Sequence, residues 1–235
     1  MNNSNAFSID PPPESLPAHV IETACQIEPA TLGHMLREGF TGPAIHCMVG
    51  DHRVTAGTVV TCRADGDDNA IVHYAISHLR SGDFLVVGRS GDTRAACVGG
   101  GLALAAQRAG CAGILVQGPV TDLAELRQCA LPIWATGLTA LTSKREYRQG
   151  DYCAPIMLED FCLEPGMLAL GDENGVVFLT GEMFEQLAPQ ALATQERQAE
   201  RRALLAEGAI VGRLNGTLDR FNTILCDAAQ SRVQQ

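Results

Sequence analysis

The most constraining feature of the sequence is a strand–helix–strand pattern within Gly82–Gly137. Apolar runs at Phe84–Val87 and Gly113–Val116 predict two strands, and the three glycines Gly99–Gly101 open an apolar helix between them. Strands that alternate with helices are typical of an α/β fold. The turn after the second strand presents the pair Thr121–Asp122. We therefore expect the loops that follow the two strands to converge on one pocket.

The glycine run is the first candidate binding element. Glycines at a junction between a strand and a helix let the backbone approach a ligand, and the free N–H groups of the helix start favour a carboxylate or a phosphate. A tight packing turn explains the same glycines equally well, because the run lacks the full spacing of a dinucleotide or phosphate loop. A dinucleotide-binding fold is disfavoured further, since Gln117 stands where an acidic residue would end the following strand.

Composition and charge exclude several classes of function. Hydrophobic residues make up 46% of the 235-residue chain and charged residues 19%, which indicates a packed globular core. The net charge is −10 and the sequence has no run of lysines or arginines, so nucleic-acid binding is disfavoured. No apolar run is long enough to cross a membrane, and the N-terminus has no signal-peptide pattern. We expect a cytoplasmic protein.

The nine cysteines form no CxxC pair and have no ligand spacing with histidine. In a reducing cytosol they are expected to act as small apolar residues. A zinc site and a catalytic thiol are both disfavoured.

Three regions are predicted along the chain. Residues 1–18 contain three consecutive prolines and form an extended arm. Residues 19–181 form the main α/β domain, and residues 182–235 form a helical extension that is rich in helix-forming residues. Within the extension, Pro189 is expected to begin a second helix.

The main domain is expected to combine short helices with further strands. Asp67 or Asp68 is a candidate N-cap for one of the helices. We expect the strands over 154–158, 167–170 and 176–179 to pack as a sandwich or half-barrel beside the α/β layer. Outside the central pattern the sequence predicts helices over 27–39 and 69–79, and strands over 53–62, 154–158, 167–170 and 176–179.

One set of residues in and around the central pattern carries a resemblance to a known family. It includes Gly82, Asp83, Gly91, Asp92, Arg94, Ala95, Gly99, Leu102, Ala103, Gly110, Gly113, Gly118, Val120, Asp122, Pro132, Pro165, Gly166, Gly171, Asp172 and Gly175. This set resembles the RraA-like family, which includes class II 4-hydroxy-4-methyl-2-oxoglutarate and 4-carboxy-4-hydroxy-2-oxoadipate aldolases. The resemblance covers roughly residues 20–210. It implies a three-layer β/β/α fold assembled as homotrimers or homohexamers.

The resemblance also implies a reaction. The enzymes of this family cleave a 2-oxo acid by retro-aldol cleavage or decarboxylation and release pyruvate through an enolate. Mg²⁺ or Mn²⁺ chelated by the 2-oxo acid would polarise the ketone. The N–H groups of Gly99, Gly100, Gly101 and Leu102 would hold the substrate carboxylate.

Carried over residue by residue, the family site is only partly present. Asp122 stands at the position of the metal-binding aspartate. Thr121 replaces the arginine that precedes it, and Gly100 replaces an acidic residue of the glycine loop. Gln117 and His34 stand where the family commonly has carboxylates. Exchange of a guanidinium for a hydroxyl removes a charge-assisted contact of about 1.5–3 kcal/mol.

Three interpretations of these departures remain open. In the first, the chain is a lyase and another cation replaces the missing arginine. Arg89 is the leading candidate for that cation and Arg94 is the other candidate. The alternative for Arg89 is an ordinary surface residue. In the second, the pocket catalyses a different, metal-free reaction on a related small acid, with His34 or His73 as general base. In the third, the protein is a catalytically silent binding module, like the RNase E regulators of the family. We expect the first interpretation, in which the chain is a lyase.

Overall fold

The computed structural model describes residues 7–50 and 53–233, with side chains as far as residue 226. Its helices are α1 (Ala18–Ala24), α2 (Pro29–Leu32), α3 (Ala70–Ser77), α4 (Gly100–Arg108), α5 (Leu123–Cys129), α6 (Gly181–Ala206), α7 (Val211–Leu214) and α8 (Thr217–Val233). Its strands are β1 (Phe7–Ile9), β2 (His46–Val49), β3 (Thr55–Asp65), β4 (Asp83–Ser90), β5 (Gly113–Val120), β6 (Ile133–Leu138), β7 (Gly150–Tyr152), β8 (Ile156–Leu158), β9 (Phe161–Leu163), β10 (Leu168–Asp172) and β11 (Gly175–Leu179).

Four parallel strands, β3, β4, β5 and β6, form the centre of a nine-stranded sheet. Helices α3, α4 and α5 connect them in turn, so the loops that leave β3, β4 and β5 lie at one edge of the sheet. The long strand β3 also pairs with β10 near its start and with β7 near its end. The hairpin β10–β11 therefore belongs to the large sheet, while β8 and β9 form a separate pair.

The sheet has an apolar core on each face. Alternate strand residues point to opposite faces. Val60, Leu85 and Ile114 pack in the cluster that includes residues of α3, α4 and α5. Val59 and Phe84 pack in a second cluster with residues of β8–β11 and with Trp134, whose indole N–H donates to Asp172 O at 2.9 Å. The predicted three-layer β/β/α fold is confirmed.

Two of the predicted helices differ from the structure. The helix predicted over 27–39 is α2, which ends at Leu32 because the chain turns away to pair with β11. Phe178 N–H donates to Gly39 O at 2.8 Å. The prediction that Pro189 begins a second helix is wrong, since this proline lies inside α6. A proline within a helix removes one backbone hydrogen bond, and the flanking helix-forming residues continue the helix.

Contacts within the chain define two compact units, Met1–Pro189 and Gln190–Gln235. In the first unit, β1 belongs to the arm predicted for residues 1–18 and pairs in parallel with β7 of the same chain. Residues 1–6 of that arm, and residues 234–235 of the predicted C-terminal extension, lie outside the described residues. The second unit is helical. Within the described residues, no helix is long and apolar enough to cross a membrane.

Candidate active site

The glycine loop and the Asp122 turn meet at the carboxyl edge of the sheet. Gly99 precedes α4 with an extended backbone, and a Cβ at this position would overlap Asp122 Oδ2 and lie 2.9 Å from Thr121 Cγ2. A side chain at position 99 would therefore displace the aspartate. The sequence needs glycine here because the loop and the acidic turn are in direct contact.

Asp122 has an unusual backbone conformation that directs its carboxylate toward the glycine loop. Its φ of 59° and ψ of 42° are left-handed, a region that aspartate and asparagine enter more readily than most residues. Oδ2 accepts the Gly100 N–H at 3.1 Å, and the Thr121 hydroxyl donates to Oδ1 at 3.3 Å. The carboxylate thus lies at the N-terminus of α4, where the helix dipole favours negative charge.

At position 100 the family resemblance implies an acidic side chain, and the carboxylate of Glu125 lies in the space that a side chain there would occupy. A Cβ on Gly100 would overlap the carboxylate of Glu125 and would lie 2.5 Å from its Cβ. Glu125 lies in the first turn of α5, three residues after Asp122. The glycine at position 100 therefore lets α4 and α5 pack closely, with the Glu125 side chain lying across it.

Gly100→Ala is expected to lower the free energy of unfolding by about 1–3 kcal/mol, because overpacking at a helix contact forces backbone shifts. The Glu125 carboxylate can rotate away, but its Cβ is fixed to the helix. Gly101→Ala is the matched control: a Cβ at Gly101 meets nothing within 4 Å, and alanine favours a helix. Urea denaturation of both variants measures the difference. Equal stability of the two would show that the α4–α5 contact is looser than described.

A cleft of about 380 Å³ lies where the glycine loop and the Asp122 turn meet. The glycine loop and the Asp122 turn form one part of its wall, and α3 and the segment after β6 form another. Ala96 holds the two parts together, since Ser143 Oγ donates to Ala96 O at 2.7 Å. The lining residues are Asn69, His73, Ala96, Cys97, Val98, Gly99, Gly101, Leu102, Thr121, Asp122, Thr142 and Ser143. None of them is a lysine or an arginine.

His73 and Asn69 provide the polar groups on the α3 side of the cleft. Burial, and then the positive charge of Arg145, lower the pKa of the half-buried His73 imidazole, so this side chain is neutral near pH 7. The Asn69 Oδ1 atom is buried and has no hydrogen-bond partner in the structure. A buried acceptor without a partner is costly and rare, which favours a ligand hydroxyl or N–H group at this position.

Arg89, the leading candidate for a replacement cation, does not line the cleft. Its side chain is only 9% exposed, and its guanidinium donates to Ala95 O at 3.0 Å and to Gly66 O. The expectation of an ordinary surface residue is wrong. Arg89 joins the loops after β3 and β4 to β5, where a Cβ on Gly118 would lie 3.2 Å from Nη1. Its contacts suit a residue that fixes the loops behind the cleft.

Arg94 and His34 also lie apart from the lining residues of the cleft. Arg94 is highly exposed, and its Nη2 atom pairs with Asp92 Oδ2 at 2.6 Å. His34 is exposed and follows the short helix α2. Of the two histidines considered as general bases, the structure therefore brings only His73 to the glycine loop and Asp122.

The cysteines only partly follow the expectation that they act as small apolar residues, since Cys25, Cys162 and Cys226 are exposed. Five of the nine are buried, and none of the cysteines forms a disulfide within the described residues. Cys97 lines the cleft, and burial raises the pKa of its thiol although Arg89 lies nearby and opposes the shift. A protonated thiol is a weak nucleophile, so Cys97 is best described as part of the apolar wall.

Several residues of the cleft were not identified from the sequence. Thr142 and Ser143 carry no local motif, and only long-range pairing brings them to the glycine loop. Asn69 belongs, with Asp68 and His73, to a region that matches the family resemblance, but the sequence gives Asn69 no role in the site. Asp68, as a candidate helix cap, is the signal that points to this side of the cleft. Its carboxylate accepts the Ala70 N–H at 3.0 Å and also binds backbone N–H groups of residues 146 and 148, which places that segment against α3.

The fold and the cleft define a three-layer α/β protein with an acidic turn facing a glycine-rich helix start. The sequence profile of the RraA-like family, described as Aldolase/RraA, matches residues 24–178, and the chain belongs to this family. It is 32% identical over 148 residues to a 4-hydroxy-4-methyl-2-oxoglutarate aldolase from Thermus thermophilus, a match that covers 63% of this chain and 89% of the relative.

Solved structures show the same fold. The RNA-processing inhibitor RraA from Thermus thermophilus superposes with a TM-score of 0.59 at 31% identity, covering 65% of this chain and 92% of that one. An unusual member of the RNase ES inhibitor RraA family from Streptomyces coelicolor superposes with a TM-score of 0.70 at 22% identity, covering 81% of this chain and 99% of that one. The second likeness concerns the fold alone.

Proposed function

We propose that the chain is a metal-dependent carbon–carbon lyase that cleaves a small 2-oxo carboxylic acid and releases pyruvate. One observation carries this proposal: the Asp122 carboxylate and the N-terminus of α4 lie side by side on the same cleft, joined by the bond from Gly100 N–H to Oδ2 at 3.1 Å. An anionic metal ligand and an anion-binding helix start are the two elements that a chelated 2-oxo acid requires. The aldolase name of the Thermus relative supports the same reaction.

The donor set suits Mg²⁺ or Mn²⁺. Each Asp122 oxygen accepts one hydrogen bond, so lone pairs remain for a cation. Among the residues that the structure describes, no group of three histidine, cysteine or acidic side chains could hold a metal. Mg²⁺ commonly uses one or two protein carboxylates and completes its shell with water and ligand oxygens. When bound, such an ion would polarise the 2-oxo group.

The first turn of α4 would bind the substrate carboxylate. The Gly100 N–H is used by Asp122, and the Ala103 N–H donates to Gly99 O at 3.0 Å. The N–H groups of Gly101 and Leu102 lie between these two positions in the unsatisfied first turn of the helix. They are available to a carboxylate. The Thr121 hydroxyl, which stands where the family resemblance implies an arginine, would donate to that carboxylate only if it gave up its bond to Asp122 Oδ1.

His73 would act as the general base for an aldol substrate. Its neutral imidazole can accept the proton of the 4-hydroxyl group, while the bond between C3 and C4 breaks and leaves an aldehyde or ketone. The electron pair of that bond passes to the pyruvate fragment, whose C3 is then protonated. For an oxaloacetate-type substrate the same bond cleavage releases CO₂ and needs no base.

The proposal is tested by an assay of pyruvate release from oxaloacetate and from 4-hydroxy-4-methyl-2-oxoglutarate, with Mg²⁺, with Mn²⁺ and with EDTA. We expect turnover of at least one of them that requires the metal and returns when metal is restored after EDTA. Turnover that is insensitive to EDTA would favour the metal-free reaction. Absence of turnover with both acids would count against the lyase.

The departures at positions 121 and 100 favour a second candidate, a binding module without catalytic activity. The name of the Thermus structure, an RNA-processing inhibitor, supports a regulatory role as the alternative. A stoichiometric protein partner recovered by affinity capture, together with no turnover of any 2-oxo acid, would support it. In either case we propose a homotrimer or homohexamer, in keeping with the family resemblance.

A further inference from the structure

The segment after β6 holds the backbone of Arg145 close to residues that line the cleft. Lys144 O accepts the Asn69 N–H at 2.7 Å, and Glu146 N–H donates to the buried carboxylate of Asp68 at 3.1 Å. Arg145 lies between these two anchored residues, so its backbone is held against the first turn of α3. Ser143, two residues earlier, lines the cleft.

The side chain of Arg145 is free for a ligand. It is exposed, and among the described residues no carboxylate lies within 4.0 Å of its guanidinium. Of the neighbouring cations, Arg148 pairs with Asp67, and the positive charge of Lys144 helps to lower the pKa of Asp67. The charge of Arg145 acts on His73, which lies one turn along α3 from Asn69 and lines the cleft.

The cleft needs such a cation if its ligand has two carboxylates. Asp122 adds a negative charge to a lining that contains no lysine or arginine. The N–H groups of α4 can hold one carboxylate, but a second one would have no charged partner within the lining. An arginine is well suited to a carboxylate because its planar guanidinium donates two parallel hydrogen bonds.

We propose that Arg145 binds the distal carboxylate of a dicarboxylic 2-oxo acid at the rim of the cleft. The assignment rests on the proposed function. In it, Arg145 provides on the α3 side of the cleft the positive charge that Thr121 lacks. The residue is a specificity determinant: it selects dicarboxylic over monocarboxylic 2-oxo acids and takes no part in proton transfer.

The test measures binding by calorimetry in the presence of Mg²⁺, with two acids that lack a 4-hydroxyl group. 2-Oxoglutarate carries the distal carboxylate, and 2-oxobutyrate does not. Arg145→Ala is expected to weaken binding of 2-oxoglutarate by about tenfold or more, as loss of a charge-assisted pair predicts, and to leave 2-oxobutyrate unchanged. Arg108→Ala, at the far end of α4, is expected to change neither.

A second measurement checks the position of Arg145 independently of any ligand. NMR titration of the histidine side chains should show that the pKa of His73 rises in Arg145→Ala and not in Arg108→Ala. If the pKa of His73 is unchanged in Arg145→Ala, or if this variant loses affinity for both acids equally, the assignment is overturned. If the unaltered protein binds neither acid, the proposed function fails and the assignment fails with it; if it binds both and Arg145→Ala does too, only the assignment fails.

Discussion

Asp122→Asn is expected to abolish metal-dependent pyruvate release, with a fall of about a thousandfold or more in kcat/KM. Loss of the single protein carboxylate removes several kcal/mol of charge stabilisation. Asparagine preserves the shape of the turn, because it tolerates the left-handed backbone that Asp122 adopts. Its amide oxygen can still accept the Gly100 N–H, so the loss would report the missing charge. The measurements are steady-state kinetics and Mn²⁺ binding by electron paramagnetic resonance.

The control is Asp92→Asn, which removes an exposed carboxylate that pairs with Arg94 outside the cleft. We expect it to keep both activity and Mn²⁺ affinity. If Asp122→Asn retained the metal-dependent rate and bound Mn²⁺ as tightly as the unaltered protein, another group would have to hold the metal.

Asp68→Ala is expected to lower the free energy of unfolding by about 3–5 kcal/mol. The carboxylate is only 1% exposed and accepts backbone N–H groups of Ala70, Glu146 and Arg148. Hydrogen bonds to a charged group contribute about 1.5–3 kcal/mol each, and all three donors would lose their acceptor. The variant would also release the segment that carries Ser143 and Arg145, so the α3 side of the cleft would lose its order.

The pH dependence of this effect has a definite sign. Burial alone would raise the pKa of Asp68, but the backbone N–H groups of the 146–148 segment and Ala70 outweigh it and lower the pKa. A group whose pKa is lowered in the folded state stabilises the protein above its unfolded pKa of about 3.9. The difference between the unaltered protein and Asp68→Ala should therefore shrink as the pH falls below about 4.

Asp67→Ala is the control for both measurements. The Asp67 carboxylate is about half exposed and pairs with the Arg148 side chain, so its loss should change the free energy of unfolding much less than loss of Asp68. Urea denaturation at pH 7 and at pH 3.5 gives both comparisons. A small, pH-independent effect of Asp68→Ala would mean that the 143–148 segment is held by other contacts.

The central strands and helices could be predicted from the sequence because their apolar patterns are long. β4, β5 and α4 lie close to the predicted positions. β4 and β5 are buried along most of their length, so each appears in the sequence as a continuous apolar run. β1 and β7 have three residues each, which is too short for a period. Their positions depend on pairing with distant parts of the chain, and no local pattern records that pairing.

The residues of the candidate site also fall into a group that the sequence could predict and a group that it could not. Gly99–Leu102 and Thr121–Asp122 belong to one strand–helix–strand unit, so the rule that loops meet at the carboxyl edge was sufficient to bring them together. The segment that carries Arg145 is held by bonds from its neighbours to the start of α3, more than 70 positions earlier in the chain. Arg89 was expected at the surface because arginine is mostly exposed; here carbonyl oxygens of two loops hold it in a buried position.

The most direct test is a crystal structure of the protein with Mg²⁺ and oxalate, which resembles the enolate form of pyruvate. We expect the metal on an Asp122 carboxylate oxygen and an oxalate carboxylate on the N–H groups of Gly101 and Leu102. The glycine loop should keep its position, since Gly100 N–H already donates to Asp122. A cleft that stays empty at saturating metal and oxalate, or that binds oxalate away from Asp122, would contradict the proposed lyase.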